Sequence, residues 1–173
     1  MGKFTDRTCC FIGQGDIPPG EESKVLVRVR HRLMPLIQSG VTCFGVGGTN
    51  DFDAMMVDML LRLKKETLRL RIIEVLPFKG YRMAWPVERL EKAMKIDRQV
   101  DKVVYMEEVP RREAYIDADR HLVEGSNYCI SYCNKATGRK AAAVKYALER
   151  GLTVYNASSF DVNTLISKTT NLK

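Results

Sequence analysis

Two glycine-bearing turns follow predicted strands and could bring the backbone against a phosphate group. Residues 13–16 (GQGD) follow the first strand, and residues 45–53 (GVGGTNDFD) follow the second. Glycine lets the backbone approach an anion closely, and the helix after such a turn offers free N–H groups and the positive end of its dipole. Neither turn completes G-x-G-x-x-G, and neither is a Walker A motif because no Gly-Lys-Ser/Thr follows. Glycines that serve only the turn are the alternative interpretation. The candidate ligand contacts here are Gly13, Gln14, Gly47, Gly48 and Thr49.

A third turn, residues 134–140 (NKATGRK), follows the fifth predicted strand and carries three cations and a hydroxyl. Cations at the N-terminus of a helix oppose the helix dipole, and a bound anion would resolve that conflict. A solvated basic turn is the alternative. The candidate residues from this turn are Thr137, Gly138 and Arg139, with Arg139 pairing with phosphate.

Two further charged residues are candidates. Asp53 is placed either to accept hydrogen bonds from ribose hydroxyls or to cap the second helix. Arg120, in a predicted helix, is a second candidate partner for phosphate.

Short β-type runs alternate with helical stretches along the chain, which is typical of a parallel sheet with crossover helices. Several of the β-type runs are almost continuously apolar, as expected for strands covered on both faces. The pattern predicts a three-layer α/β sandwich with a mostly parallel sheet of about six strands and helices on both faces. The predicted strands cover residues 8–12, 41–44, 70–76, 102–105, 128–132 and 152–155.

Hydrophobic residues at helical spacing and Gly or Asn/Asp punctuation predict the helices. The second helix, which begins at Asn50 or Asp51, is rich in methionine and apolar nearly all round, so we expect it to be buried. The other helices are predicted over residues 21–39, 87–94, 111–124 and 138–150. We expect one domain over residues 1–173, with an irregular C-terminal extension over residues 157–173.

The bulk composition restricts the cellular setting. The 173 residues include no apolar run long enough to cross a membrane, and the first residues, MGKFTDRTCCFIG, lack the apolar segment of a signal peptide. The five cysteines have no Cys-x-x-Cys spacing and indicate reduced thiols. We therefore expect a cytoplasmic protein with no membrane partner, no metal site and no cofactor. A homo-oligomer remains open.

The net charge of +7 permits an anionic partner. The basic run at Arg28, Arg30, His31 and Arg32 interleaves with predicted core positions, so a solvated helix face explains it. Other basic residues are scattered, and most aromatic residues lie in predicted strands. Trp85 and Tyr81 form the one plausible stacking pair, which a nucleotide base could use equally well. These features argue against nucleic acid as a partner.

At the turns the sequence resembles the YpsA-like branch of the SLOG superfamily, the Rossmann-like group that includes the DprA and LOG proteins. The resemblance covers residues 8–156 and rests on the order and spacing of four individually loose segments. These segments are CCFIGQGDIP, GVGGTNDFDAMMVDMLLRLKK, IIEVLPFKGYRMAW and ADRHLVEGSNYCISYCNKATGRKAAAVKYALERGLTVYN. The resemblance implies a Rossmann-like fold and a nucleotide-type ligand.

The sequence departs from that group at several places. Gln14 stands where the family has histidine, and residues 136–139 replace its G-G-T turn. LOG enzymes cleave the N-glycosidic bond of nucleotides with a helix arginine and a glutamate. Ala118 replaces that arginine, and Ala141 or Ala142 replaces the glutamate.

The sequence therefore favours a binding protein with a sensor or regulatory role over an enzyme. Two alternatives stay open. One is a nucleotide N-glycosidase, in which Arg120 or Asp119 would substitute for the missing groups. The other is a DprA-like binder of single-stranded DNA.

Overall fold

A computed structural model describes residues 4–167 and shows one six-stranded sheet in which every neighbouring pair of strands is parallel. The prediction of a mostly parallel, six-stranded α/β sandwich is confirmed. Strands covered on both faces must be apolar throughout, and all six residues of the first strand are buried. The strands are β1 (Thr8–Gly13), β2 (Cys43–Gly47), β3 (Arg71–Phe78), β4 (Lys102–Glu107), β5 (Tyr128–Tyr132) and β6 (Thr153–Asn156).

The strand order is β4-β3-β2-β1-β5-β6. The chain builds outward from β1 to β4 on one side and then returns to place β5 against the other side of β1. This reversal is the topological switch point of an open parallel sheet, where ligands bind outside the carboxyl ends of the strands. The register pairs Gly13 at the end of β1 with Tyr132 at the end of β5. The turns after β1 and β5 therefore leave the sheet side by side.

Helices cover both faces of the sheet. Helices α1 and α2 pack with Phe11, Phe44 and Ile72 on one face, while α4 and α5 pack with Cys10, Ile12 and Val75 on the other. The helices are α1 (Glu22–Gln38), α2 (Asp51–Glu66), α3 (Val87–Asp97), α4 (Ala114–Glu124), α5 (Arg139–Glu149) and α6 (Thr164–Ser167).

The predicted elements match the observed ones closely, and the largest shift is in β2. The sequence predicts this strand over residues 41–44, but it runs over Cys43–Gly47 and so includes two glycines. Gly45 lies in the strand because α4 packs closely there: a Cβ at this position would stand 2.9 Å from Cδ2 of Leu122. Helix α2 is buried along one side, with Met56 and Met59 in the core, while Asp58 and Arg62 on its other side are exposed; the expectation of a helix buried nearly all round is wrong.

The segment after β6 is partly ordered by side-chain contacts. Asn156 Oδ1 accepts a hydrogen bond from the backbone N–H of Cys133, and its Nδ2 donates to the carbonyl of Phe160. Val162 is buried next to α5, in the hydrophobic core on the sheet face that α4 and α5 cover. The predicted irregular extension thus contains the short helix α6, while its residues 168–173 lie outside the described part of the chain. Over residues 4–167, no helix has the length and apolar character that a membrane crossing requires.

Candidate functional site

The turns after β1, β2 and β5 meet at the carboxyl edge of the sheet. Asn50 Nδ2 donates to the carbonyl of Gly13 over 2.7 Å, which joins the first and second turns. Gln14 Nε2 donates to the carbonyl of Thr137 over 3.3 Å, which joins the first and third. Arg139 Nη2 lies 3.5 Å from Thr49 Oγ1 and closes the set. The three turns singled out in the sequence therefore form one structural unit.

Gln14 links β1 to the turn after β5 through its side-chain amide. Its Oε1 accepts from the backbone N–H of Asn134 over 2.8 Å, and its Nε2 also donates to the carbonyl of Lys135 over 3.4 Å. Only 5% of the side chain is exposed. Both the oxygen and the nitrogen of the amide therefore bond within the protein, and Gln14 fixes the position of the third turn.

Asn50 and Asp53 hold the second turn in place. The sequence left open whether Asp53 caps the second helix, and the structure gives that role to Asn50. Asn50 caps α2, because its Oδ1 accepts from the backbone N–H of Asp53 over 3.0 Å. The Asp53 carboxylate accepts from both the backbone N–H and the hydroxyl of Thr49, at 3.0 and 3.3 Å. Asp53 thus fixes the shape of the turn, and Thr49 is held against Arg139.

Asp53 is also part of a buried charge cluster beneath the site. Burial raises the pKa of its carboxyl, the positive charge of Lys140 opposes this shift, and the charge of Asp119 adds to it. Among the described residues, Asp53 Oδ1 has no hydrogen-bond partner. The three charged groups therefore interact electrostatically, and charge brought to the site acts on all of them.

The third turn delivers two cations to the N-terminus of α5. Gly138 precedes the helix with a φ of 97°, a conformation that favours glycine, and no side chain caps the helix. Lys140 Nζ donates to Asp119 Oδ1 over 2.7 Å and is buried. Arg139 Nη1 donates to the carbonyl of Tyr115 over 3.0 Å and lies 3.5 Å from Asp119 Oδ2. Asp119 on α4 thus offsets the dipole conflict that the sequence raised.

A cavity of about 640 Å³ opens between α4 and α5 beside the third turn. This volume falls within the range of roughly 300–1,000 Å³ that is common for ligand sites. Three arginines and one aspartate give the wall a positive balance, and two tyrosines provide aromatic surface. The lining residues are Arg112, Tyr115, Ile116, Asp119, Arg120, Gly138, Arg139, Ala142, Ala143 and Tyr146. We call this space the α4–α5 cavity.

The glycines of the first two turns are required by close packing inside the protein. A Cβ at Gly13 would stand 2.2 Å from the ring of Phe52, and one at Gly47 would stand 2.8 Å from Asp53 Oδ2. A Cβ at Gly48 would stand 2.5 Å from Arg82 Nη2. These contacts explain the glycines without a ligand, which was the alternative interpretation of the sequence. A ligand role for their backbones stays a prediction.

The family model described as "YspA SLOG family" (YpsA) matches residues 22–168 of the chain. The chain belongs to this SLOG family. The resemblance noted from the four sequence segments is thereby confirmed. Among curated proteins, none matches the sequence.

Two solved structures with the SLOG chain's fold are DNA processing proteins. DprA from Streptococcus pneumoniae has a TM-score of 0.66 at 14% identity, with 94% of this chain and 56% of that chain covered. DprA from Helicobacter pylori has a TM-score of 0.64 at 14% identity, with 95% of this chain and 73% of that chain covered. The SLOG chain therefore spans little more than half of the Streptococcus pneumoniae protein. At this identity the likeness establishes the fold.

The Helicobacter pylori structure is described by its single-stranded DNA binding mode. This finding contradicts the sequence-based prediction that nucleic acid is an improbable partner of the SLOG chain, and we correct it. The prediction relied on scattered basic residues and on aromatic residues hidden in strands. Because a protein with this fold binds single-stranded DNA, those features are not grounds for setting such a partner aside.

The predicted site residues of this SLOG protein fall into three groups. Arg120, Gly138 and Arg139 line the α4–α5 cavity. Gly48 lines a second cavity at the second turn. The remaining candidates hold the turns together through their packing or hydrogen bonds; they are Gly13, Gln14, Gly47, Thr49, Asp53 and Thr137.

Sequence reasoning missed most of the α4–α5 cavity wall. Tyr115 and Tyr146 lie in it on α4 and α5, and Arg112 lies in it from the turn before α4, so none of the three belongs to a glycine turn. The spacing of these residues was a signal in the sequence. Tyr115 and Asp119 are four positions apart, as are Ala142 and Tyr146, and residues at this spacing share one face of a helix.

The positions tied to LOG-type hydrolysis are also placed by the structure. Ala118 and Ala141 are buried in the hydrophobic core beneath α4 and α5, whereas Ala142 is exposed and lines the α4–α5 cavity. Asp119 is engaged by Lys140, and Arg120 stacks over the ring of Tyr146 at 5.3 Å. Within residues 4–167, no three His, Cys, Asp or Glu side chains come together in a way that could hold a metal ion.

Proposed function

We propose that the chain binds a nucleotide or nucleotide-derived phosphorylated ligand in the α4–α5 cavity, in a sensor or regulatory role. The observation that carries this proposal is the position of Arg139. Its guanidinium lies at the N-terminus of α5, in the cavity wall, and within 3.5 Å of the Thr49 hydroxyl. Cation, hydroxyl and helix N-terminus are three groups that favour phosphate.

The phosphate would lie between the first turn of α5 and Arg139. The N–H groups in the first turn of a helix lack intrahelical partners, and Gly138 brings no side chain to cap them. Arg112 and Arg120 lie in the same wall and add positive charge. A doubly charged phosphate would balance this excess, which the single carboxylate of Asp119 leaves uncompensated.

The sugar would lie against Tyr115 and Asp119. The Arg139 guanidinium lies 5.2 Å from the centre of the Tyr115 ring, so the ring forms an apolar wall next to the phosphate position. Asp119 is buried, and among the described residues its Oδ2 accepts no hydrogen bond. Its ion-pair partner, Arg139 Nη1, lies 3.5 Å away, and a ribose hydroxyl would supply the hydrogen bond that this oxygen lacks.

A thermal-shift panel of nucleotides, ADP-ribose and NAD tests this proposal. At about 100 times its Kd, a ligand adds ~2.7 kcal/mol of stability, so at least one compound should raise the Tm of the wild type. Ala142→Phe, which fills the α4–α5 cavity from an exposed helix position, should abolish that shift. Leu68→Phe, at an exposed position outside the cavity, should retain it. Absence of any shift at millimolar concentration counts against the proposal.

Single-stranded DNA is a second candidate, in which the bound nucleotide belongs to a strand. The single-stranded DNA binding mode of the Helicobacter pylori protein, which shares the fold, favours this candidate. The net charge of +7 favours it as well. Titration with a labelled oligonucleotide, compared with free nucleotide, separates the two: this candidate requires tighter binding of the strand.

A further inference from the structure

A second cavity, of about 360 Å³, lies at the second turn, which contributes Gly48, Asn50 and Asp51 to its lining. It is bounded by α2, β3, the loop that carries Arg82 and Trp85, and α3. The lining residues are Gly48, Asn50, Asp51, Ala54, Val57, Glu74, Arg82, Trp85, Arg89, Lys92, Ala93 and Ile96. We call this space the α2–α3 cavity. Its volume also falls within the range of roughly 300–1,000 Å³ for ligand sites.

The inner end of the α2–α3 cavity is a hydrogen-bonded cluster of Arg82 with the carboxyl groups of Glu74 and Asp97, which the rest of the site does not use. Arg82 donates from Nη2 to Glu74 Oε1 and, over 2.7 Å, from Nη1 to Asp97 Oδ1. Glu74 is 2% exposed and Arg82 is 8% exposed. Burying such a group is expensive, and a well-packed apolar replacement is often at least as stable. Stability alone therefore does not account for it.

Two polar atoms of this group remain without partners. Over residues 4–167, neither Glu74 Oε2 nor Arg82 Nε makes a hydrogen bond. Both belong to side chains that line the α2–α3 cavity and are more than nine-tenths buried. Buried polar atoms normally find a partner. Each of these two atoms exposes less than 1 Å², so a molecule in the cavity would reach them after a shift of the Glu74 or Arg82 side chain.

The remaining walls fit a flat ring. Ala54, Val57, Ala93 and Ile96 provide apolar surface from α2 and α3. Trp85 adds an aromatic wall, and the guanidinium groups of Arg89 and Arg82 lie 3.8 and 5.4 Å from the centre of its ring. Apolar and aromatic walls with two hydrogen-bonding atoms at one end match a heterocyclic base, which has flat faces and a polar edge.

We propose that the α2–α3 cavity binds the heterocyclic base of the ligand, with Glu74 Oε2 and Arg82 Nε hydrogen-bonded to the polar edge of the base. This inference rests on the proposed function, because it assigns the base of the same nucleotide. The two cavities are adjacent: Gly48 lines the α2–α3 cavity, and the next residue, Thr49, contacts Arg139 of the α4–α5 cavity. Phosphate and base would lie on either side of Thr49.

The test compares AMP, GMP and UMP with ribose 5-phosphate, which lacks a base, by quenching of Trp85 and by calorimetry. Trp85 is the single tryptophan of the chain, so its fluorescence reports on the α2–α3 cavity. At least one nucleotide should bind about tenfold more tightly than ribose 5-phosphate, because only the nucleotide has a base that can bury its faces against the aromatic wall.

Two matched variants separate the cavities, since Ala54 and Ala142 are both exposed helix residues and each lines one cavity. Ala54→Phe should lower nucleotide affinity about tenfold and leave ribose 5-phosphate unchanged. Ala142→Phe should lower both. Glu74→Gln should lower the affinity for the nucleotide and leave that for ribose 5-phosphate unchanged. It is the conservative variant, because it replaces the carboxyl group with an amide of nearly the same shape.

The outcomes distinguish this inference from the proposed function. Binding of ribose 5-phosphate that depends on Arg139, with no nucleotide tighter and no effect of Ala54→Phe, overturns the base site and leaves the phosphate site standing. If adenosine, guanosine or uridine binds as tightly as its monophosphate and Ala54→Phe weakens that binding, the phosphate site is overturned and the base site stands. Failure of every compound to bind overturns both.

Discussion

The backbone N–H of Asn134 donates to Oε1 of Gln14 over 2.8 Å, across the switch point between β5 and β1. Gln14 occupies the place of a histidine in the SLOG pattern, and here its amide holds the third turn in position. The geometry of the proposed phosphate site therefore depends on a residue that does not face the α4–α5 cavity.

Replacement of Gln14 by alanine should destabilise the protein by about 1–3 kcal/mol, because it removes the three hydrogen bonds that this side chain makes to Asn134, Lys135 and Thr137. Urea unfolding of Gln14→Ala measures this loss. Gln38→Ala, at the exposed end of α1, is the control and should change stability by less than about 0.5 kcal/mol. Equal stability of the two variants would contradict the structural role of Gln14.

Gly48, the first residue after β2, should also be sensitive to substitution. A Cβ at Gly48 would stand 2.5 Å from Cδ2 of Leu76 and 2.6 Å from Glu74 Oε1. Gly48→Ala should cost about 1–3 kcal/mol from overpacking. Gly125→Ala is a matched control, because its Cβ would meet its nearest neighbour, the His121 carbonyl, at 3.4 Å. If Gly48→Ala unfolds at the same urea concentration as Gly125→Ala, the close approach is not real.

The carboxyl group of Glu74 should make stability fall as the pH rises. Burial raises its pKa from 4.5 to about 8, and Asp97, which shares Arg82 with it, adds to the shift against the opposing charge of the arginine. Between pH 4.5 and 8 the folded state holds this proton more tightly than the unfolded chain does, so stability is lost through that window.

Glu74→Gln removes this titration, so the stability of the wild type relative to the variant should decline by up to about 1.4 kcal/mol per pH unit. Denaturant unfolding at pH 5, 6, 7 and 8 gives the slope. The exposed Glu88→Gln variant should run parallel to the wild type. A rising or flat difference for Glu74→Gln would show that Glu74 is ionised in the folded protein.

Much of this architecture was predictable from the sequence, for identifiable reasons. Continuous apolar runs predicted β1 and β5, and the glycine and proline punctuation placed the helices within a few residues. The turns were predictable because parallel strands put their carboxyl ends at one edge. The sequence did not predict which side chains face outward. The amide of Gln14 and the carboxylate of Asp53 bond to the backbone, but the same groups could have bound a ligand.

The cavities were harder to predict, because they depend on how helices pack. Tyr115 and Arg139 are 24 residues apart in sequence and come together only when α4 lies beside α5. The ion pairs of Arg82 with Glu74 and Asp97 likewise require the loop after β3 to fold back over the sheet. Trp85 was noted in the sequence as a stacking residue, but the polar atoms next to it were not.

Binding of single-stranded DNA, if it uses the same edge of the sheet, should depend on Arg139 more than on the exposed basic face of α1. A labelled oligonucleotide titrated at two salt concentrations should bind more weakly at high salt, with a slope set by the phosphates contacted. Arg139→Gln should weaken this binding, while Arg30→Glu/Arg32→Glu should change it less. The opposite ranking would place the DNA on α1.

In the proposed function, Arg139 and the N-terminus of α5 bind the phosphate of a nucleotide. Calorimetric titration of AMP and adenosine into the wild type and Arg139→Gln tests it most directly. Charge-assisted hydrogen bonds contribute about 1.5–3 kcal/mol, so AMP should bind the wild type at least about tenfold more tightly than adenosine does. In Arg139→Gln that difference should largely disappear. Equal affinities for AMP and adenosine in the wild type, or an undiminished difference in the variant, would contradict the claim.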